Sequence, residues 1–524
     1  MRLCTRGSES EYCRPAGANH VGRHVGTSRI FAYTSLLLLL LVAPAFAATR
    51  TATTCNNTPS QLHVQAAINQ AIDGDTIALP AGSCSWSVNI TTSKRLTFQG
   101  AGVGATIIMD AMSKAAFPNV PQALIWSVSD TGLHRMTGIE WRGTRNLSPP
   151  AAGNIGFETI AIGGRTSQLR IDHNKFVAGD TLAVFVNGWI RGVFDHNTFS
   201  IWPGLGSGLY VLGAGWGGTG TNYGDASWNQ APSMGTADNL FVEDNTFTSE
   251  VSTSQIGFAS DSWMGARVVY RRNTFNSLFL GNHGTDSPGR QRSIRHWEVY
   301  ENTFNTVSGY SRPSMIGARG GTGRVFDNTV NQVAGASISA VHDFTYYRGL
   351  GHTENYQIPA TFGLCNGSNT FDGNTTPAGY PCLDQPGRGQ GDLLTGDAPN
   401  PPPNPPGLRQ ALEPIYGWNN TINGTVSPIT TEAAQSASDP KYMQEGRDYY
   451  NVTNRGAQSA RPSNCTAGAT WWSTDTRTLS QCTGIFWTTL YTPYTYPHPL
   501  VSGGTGPTAL PPRLPAIPSN LKVQ

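Results

Sequence analysis

The chain has 524 residues, a net charge of +2 and only 13% charged residues, with 60 glycines and 34 prolines. No Lys/Arg run occurs, so nucleic acid is excluded as a partner. The composition fits a turn-rich extracellular β-protein.

Residues 1–29 are polar and carry five arginines. An apolar run, 30–48, follows and ends in Ala45-Phe46-Ala47, an A-x-A cleavage pattern. Residues 1–47 are therefore expected to be a secretory signal with an overlong start, the alternative being an uncleaved anchor. The mature protein would be secreted or periplasmic, with no membrane attachment. It then holds Cys55, Cys84, Cys365, Cys382, Cys465 and Cys482. An even set after a signal points to disulfides. Pairing 55–84, 365–382 and 465–482 is preferred because each closes one local loop. No C-x-x-C occurs, which argues against zinc. The glycine-rich 100–104 (GAGVG) precedes a strand-like segment rather than a helix, so it reads as a turn and not a phosphate cradle.

From 168 to 330 one pattern is repeated: QLRIDHNKF, RGVFDHNTF, NLFVEDNTF, RVVYRRNTF, HWEVYENTF and TGRVFDNTV. The anchoring residues are Asn174, Asn197, Asn245, Asn273, Asn302 and Asn328, separated by 23, 48, 28, 29 and 26 residues. Such a period marks a solenoid. Ahead of each Asn the apolar positions alternate, as in Leu169 and Ile171 or Leu240 and Val242, so each unit is a short strand with one face inside. The Asn is expected to form a ladder at the turn, and the aromatic two residues later to stack on its neighbours. A second alternation lies upstream of each unit, and no helix-length segment intervenes. Two or three short strands per turn make a parallel β-helix.

The doubled period before Asn245 implies a long loop or an irregular rung. Trp216, Tyr223 and Trp228 there are candidates to wall a groove. After Asp343 the repeat fades into a loop-rich region, 344–524, with one further rung expected at 412–424 around Asn420. The aromatics of 436–496 are expected mostly to pack this tail along the coil, a minority being candidates for stacking on sugars.

The NxF rungs, together with 65–82 (QAAINQAIDGDTIALPAG), resemble the right-handed parallel β-helix superfamily of pectate-lyase-like proteins. In that resemblance 65–82 is the opening of the coil: a short capping helix, a tight turn at Asp73–Gly74–Asp75, then the first strand. The expected architecture is thus all-β, a right-handed parallel β-helix over 48–343, with a short N-terminal capping helix and a loop-rich C-terminal tail.

A β-helix lines up outward side chains about 5 Å apart on successive rungs. One column, two residues before each Asn, begins with Asp172, Asp195 and Glu243. Paired carboxylates there suit glycoside hydrolysis or Ca²⁺, but a solvated face, or pairing with Arg170 and its neighbours, is the preferred reading. The second column carries Asp261, His283, Arg319 and His342, with Asp286, Arg290, Arg292, Arg295, Asp343, Tyr346 and Tyr347 beside it. The resemblance places a substrate groove along this sheet. β-Elimination from a uronic acid needs a neutralised carboxylate, a base near the C5 proton and an acid for the leaving oxygen. The expected assignment is His283 as base and His342 or Tyr346 as acid, with Arg292, Arg295 and Arg319 on the carboxylate. Asp261, Asp286, Arg290 and Asp343 would complete substrate or cation binding, with Ca²⁺ a candidate cofactor.

Asn282-His283-Gly284 is a partial echo of the polygalacturonase Gly-His-Gly, and the Arg-Ile-Lys of that type is missing. Lys175 is the sole lysine of the repeat region, unlike the Lys/Arg pairs of alginate and dermatan lyases. The expected function is a monomeric polysaccharide lyase acting on an acidic polymer. A glycoside hydrolase and a non-catalytic glycan-binding surface protein are the alternatives.

Overall fold

The computed structural model describes residues 47–112, 122–130, 132–143, 158–178, 182–202, 207–215, 224–228, 230–250, 257–284, 292–344, 384–389, 411–431 and 443–503. They belong to one compact unit and form a right-handed parallel β-helix. Each rung contributes three strands. Val184–Asp195, for example, spans the first two positions and Thr198–Ile201 is the third. On the next rungs the first position is taken by Ser207–Leu212, Phe258–Trp263, Phe279–Gly281, Ser311–Ala318 and Ser337–Phe344, each pairing parallel with its predecessor. The second holds Leu240–Glu243, Arg267–Arg271, His296–Tyr300, Thr322–Phe326 and Ile415–Trp418. The third is a separate 13-stranded sheet.

The asparagine turn explains why the coil stacks. Each Asn Nδ2 donates to the Oδ1 of the next rung's Asn, from Asn174 through Asn328 to Asn420, at 2.9–3.1 Å. The same Oδ1 accepts the backbone N–H of the preceding Asn. All seven side chains are buried, so the ladder satisfies amides that burial would otherwise leave costly. The residue before each Asn is left-handed, φ 53–57° at His173, His196, Asp244, Arg272, Glu301, Asp327 and Asn419. Polar or long side chains that point outward occupy it. Two residues past the Asn, Phe176, Phe199, Phe247, Phe275 and Phe304 stack with centroids 4.5–5.1 Å apart. Where the first strand bends into the second without a break, Gly164 and Gly188 adopt φ of +123° and +121°. A Cβ there would strike the carbonyl below at 2.3 and 2.2 Å.

The doubled period is a loop. The strands after Asn197 and before Asn245 belong to adjacent rungs (Thr198↔Thr246, Gly192↔Leu240), and 213–239 is inserted at the corner between first and second strands. Residues 282–295 and 345–414 are inserted at the same corner two and four rungs later. The helix His63–Gln70 caps the first rung with Val64, Ala67 and Ile68, and the Cys55–Cys84 disulfide closes its approach. Cys465–Cys482 forms as well. Cys365 and Cys382 lie outside the described residues, as does the expected signal segment up to Phe46.

The tail decides the fate of the second strand's outer face. Val193, Phe241, Val269, Tyr300, Phe326 and Trp418 point outward yet are buried beneath Trp472, Leu479, Tyr491 and Leu500. Arg271 forks between Glu243 and the carbonyls of Tyr494 and Thr495. Arg170 reaches Asp195 and the carbonyl of Leu500. Asp172 accepts both Nε and Nη2 of Arg135 at 2.7 Å. The acidic column therefore holds arginines and the tail in place, as its pairing reading expects.

Candidate functional site

The first-strand face carries four of the expected residues on successive rungs. Asp261 lies in Phe258–Trp263 and contacts Nδ1 of His283 through Oδ2. Its Oδ1 accepts the N–H of Ser262 at 2.9 Å. His283 follows the strand Phe279–Gly281, and its N–H bonds the carbonyl of Ser262 at 3.0 Å, which sets it on the rung next to Trp263. Arg319 stands on the rung after that: its N–H donates to Asn282 Oδ1 at 2.8 Å, and only a glycine at 284 fits against its carbonyl. Asp343 lies one rung further, paired with Gly317 and accepting from Ser314 Oγ at 2.7 Å.

A ring nitrogen that faces a carboxylate oxygen is the donor to it, so in the neutral form of His283 Nδ1 carries the proton and Nε2 is the acceptor. Apolar rings flank it: Trp263 meets it edge-on with centroids 5.9 Å apart, and Phe258 lies at 6.1 Å. His283 keeps 7% of its surface open. Phe258 and Trp263 were not among the expected residues; Trp263, two places after Asp261 on the strand, was in principle legible, whereas Phe258 is of opposite parity and reaches this side across a register shift between it and Ser260.

Three expectations are corrected. His342 does not sit on the outer face. It pairs in register with Ile316, which pairs with Leu280, both core residues. Its ring packs against Trp297 and Phe344 at 6.1 and 5.1 Å. Neither of its nitrogens has a hydrogen-bond partner among the described residues, and burial drives its pKa down to about 3. A neutral imidazole inside the coil cannot protonate a leaving group in the groove.

Arg292 and Arg295 do not face a substrate either. Arg292, with no exposed surface, forks onto Asp384 at 2.8 and 3.0 Å. Arg295 forks onto Glu413 at 2.7 and 3.1 Å and donates to the carbonyl of Gln230. Trp228 is no groove wall: it is buried, with both guanidiniums over its ring at 4.9 and 5.3 Å. The three corner insertions are thus tied to one another by a buried arginine knot. Burial, and then the charge of Arg295, pull the pKa of the adjacent Arg267 down to about 9. Burial likewise holds His296 neutral, bonded to Asn239 at 2.7 Å.

Asp286, Arg290, Tyr346 and Tyr347 lie outside the described residues, as do Trp216 and Tyr223. Of the expected cation ligands Asp261 and Asp343 are described, and they are too far apart to share one Ca²⁺. Gly281 pairs with Gly317 and Gly317 with Asp343, so Asp343 lies three rungs beyond Asp261, roughly 14 Å at about 4.8 Å per strand. Ligands of one Ca²⁺ lie about 2.4 Å from it. Among the described residues no group of three or more His, Cys, Asp or Glu is gathered for a metal. A hollow of about 530 Å³ beside the N-terminal helix, lined by Thr49, Arg50, Leu62, His63 and Gln70, contains no carboxylate. It is no rival to the Asp261–His283 pair.

No model of a known protein family matches the chain, and no curated protein matches it. Among solved structures it is similar to an alginate lyase from Paenibacillus sp. str. FPU-7, 14% identical over 56% of this chain and 99% of the lyase, with a TM-score of 0.32. It is also similar to the DFA-IIIase from Arthrobacter chlorophenolicus A6 in complex with DFA-III, 14% identical over 51% of this chain and 76% of that one, with a TM-score of 0.23. Likeness at this level says nothing of chemistry.

Proposed function

We propose that the protein is a secreted carbohydrate-active enzyme that cleaves an acidic, uronate-containing polysaccharide by β-elimination. The observation that carries this reading is the contact between Asp261 and Nδ1 of His283 on the outer face of the first strands, with Arg319 one rung on. Asp261 fixes the imidazole so that Nε2 is the base for the C5 proton. Arg319 offsets the charge of the substrate carboxylate, which makes that proton acidic enough to remove. The imidazolium formed can return the same proton to the departing oxygen on the same side of the ring. No second acid is then required, which accommodates the loss of His342 from that role. Tyr346 remains a candidate for it.

Hydrolysis by a carboxylate pair fits less well. Asp261 and Asp343 stand roughly 14 Å apart, beyond the ~5 Å of retaining and the ~6.5–9.5 Å of inverting pairs.

The test is incubation with a panel of uronate polymers, reading ultraviolet absorbance of unsaturated ends alongside reducing sugar. Absorbance is expected, and His283→Ala and Arg319→Ala are each expected to cut turnover by about 100-fold or more. Reducing sugar without absorbance would establish a hydrolase. Silence in both with retained glycan binding would establish a binding protein. Near-normal turnover in both variants would move the active site to another face.

A further inference from the structure

The tail contains a four-stranded sheet built from Arg455–Gly456, Thr470–Ser473, Thr478–Cys482 and Trp487–Tyr491. Its inner face is spent on the coil: Trp472 and Tyr491 pack on Phe326 and Trp418. Its outer face is unlike the polar surface that a capping sheet needs. Residues paired directly across strands share a face. Trp471 pairs with Ser480, Ser480 with Thr489, and Cys482 with Trp487. Trp471 and Trp487 therefore look outward together, and both are half-buried. They are diagonal across two strand spacings and two residue steps, about 12 Å, a separation of the order of a short oligosaccharide.

A cation lies between them. Arg461 donates from Nη1 to Ser480 Oγ at 2.7 Å, and its guanidinium stands 5.4 Å from the Trp487 ring. With the Gln458 amide turned so that its nitrogen faces Ser473 Oγ, its oxygen accepts from Arg461 Nη2 at 3.1 Å. These partners are neutral, and no carboxylate pairs with Arg461 among the described residues. Trp487 is held in place by its own N–H, which bonds the carbonyl of Pro462 at 2.7 Å. Gly456 packs beside the Trp471 ring, where a Cβ would sit 3.1 Å from it. The Cys465–Cys482 disulfide ties the adjoining loop to this same face, since Cys482 pairs with Trp487. The adjoining hairpin tip exposes Ile485 and Phe486, at 85% and 57%.

We propose that this outer face is a second binding surface for an acidic polysaccharide. Trp471 and Trp487 stack on the apolar faces of sugar rings, and Arg461 takes a uronate carboxylate between them. Flat indoles give contact area with little loss of side-chain freedom, and a guanidinium matches the geometry of a carboxylate. The site lies over the second strands of the coil, not on the first-strand face that carries His283. It would keep the enzyme on a long polymer between cleavage events. The polymer class is taken from the proposed function, but binding is independent of cleavage.

The experiment is affinity electrophoresis of the full chain carrying His283→Ala, so that polymer is not consumed, in gels containing polygalacturonate, alginate or neutral dextran. Retardation is expected in one or both uronate gels, weakened by salt, and absent in dextran. Adding Trp471→Ala with Trp487→Ala, or Arg461→Gln alone, is expected to weaken binding about tenfold or more. Arg461→Gln changes a half-buried group with neutral partners, so it reports even if the double tryptophan variant unfolds, and circular dichroism would show whether either variant is folded. Unchanged retardation in Arg461→Gln and in a folded tryptophan variant overturns the proposal, as does equal retardation in dextran. Cleavage without tail-dependent binding sinks this surface alone. Tail-dependent binding without cleavage by the parent chain sinks the lyase reading alone.

Discussion

The side-chain amide of Asn197 donates to Oδ1 of Asn245 at 3.0 Å although 48 residues separate them. The same bond spans 23 residues between Asn174 and Asn197, and 92 between Asn328 and Asn420. The ladder is indifferent to what is inserted between rungs, because insertions leave at one corner and return to it. The loops of 213–239, 282–295 and 345–414 can therefore differ in length while the strands remain in register.

Asn245→Ala is expected to destabilise the protein by roughly 2–4 kcal/mol. The change removes donations to Asn273 Oδ1 and to the carbonyls of Phe194 and Glu243. It also leaves the backbone and side-chain N–H groups of Asn197 without their acceptor. Urea denaturation measures the loss. A change below about 0.5 kcal/mol would mean that the ladder follows the coil rather than holding it.

Arg292→Met should behave as a structural lesion. It removes the guanidinium that forks onto the buried carboxylate of Asp384, at about 3–5 kcal/mol. Adding Asp384→Leu should recover much of that, since an apolar pair carries no desolvation cost. Thermal unfolding of the single and double variants decides the matter. If Arg292→Met kept wild-type stability while raising KM, the original assignment of this arginine to the substrate would stand.

His342 makes acid stability a test of which side of the sheet it occupies. Its folded pKa, about 3, is depressed from the ordinary histidine value by burial. Stability held by the neutral ring is therefore complete above the unfolded pKa of about 6.5. It is lost as pH falls through the window down to about 3. His498, also lowered to about 3 by burial, and His134, lowered to about 4, act in the same direction. His342→Leu should flatten the acid side of a plot of Tm against pH and leave turnover at neutral pH close to wild type. An unchanged acid limb with abolished turnover would return His342 to catalysis.

Asp261→Asn keeps the shape of the His283 partner but removes its charge. An amide can accept the Nδ1 proton or present its own N–H, so the imidazole loses its fixed tautomer. Turnover is expected to fall by about 100-fold or more. Steady-state kinetics reads the effect. A variant with full kcat would remove Asp261 from the site.

The repeat was legible because a solenoid imposes the same local demand on every turn. Each rung needs an amide-bearing residue at the bend, an apolar ring two places on, and alternation before it. Those demands appear in the chain as Asn174 to Asn328 and Phe176 to Phe304. The local disulfides Cys55–Cys84 and Cys465–Cys482 were legible for a similar reason, since their partners are neighbours in one loop. The meeting of Asp261, His283 and Arg319 followed from the period, which carries residues of successive rungs onto one face.

Three matters were left to the tertiary structure. Period 2 states that a side chain alternates, not which side of the sheet is inside. His342 is therefore polar by type and yet stacks in the core column of Leu280 and Ile316. The partners of Arg292 and Arg295 are Asp384 and Glu413, 92 and 118 residues away in segments without a repeat, so no spacing announced them. The outward apolar residues Phe241, Val269 and Phe326 break the expected alternation because the tail covers them. Its strands bind through unique side-chain contacts, and a periodic signal contains no information about those.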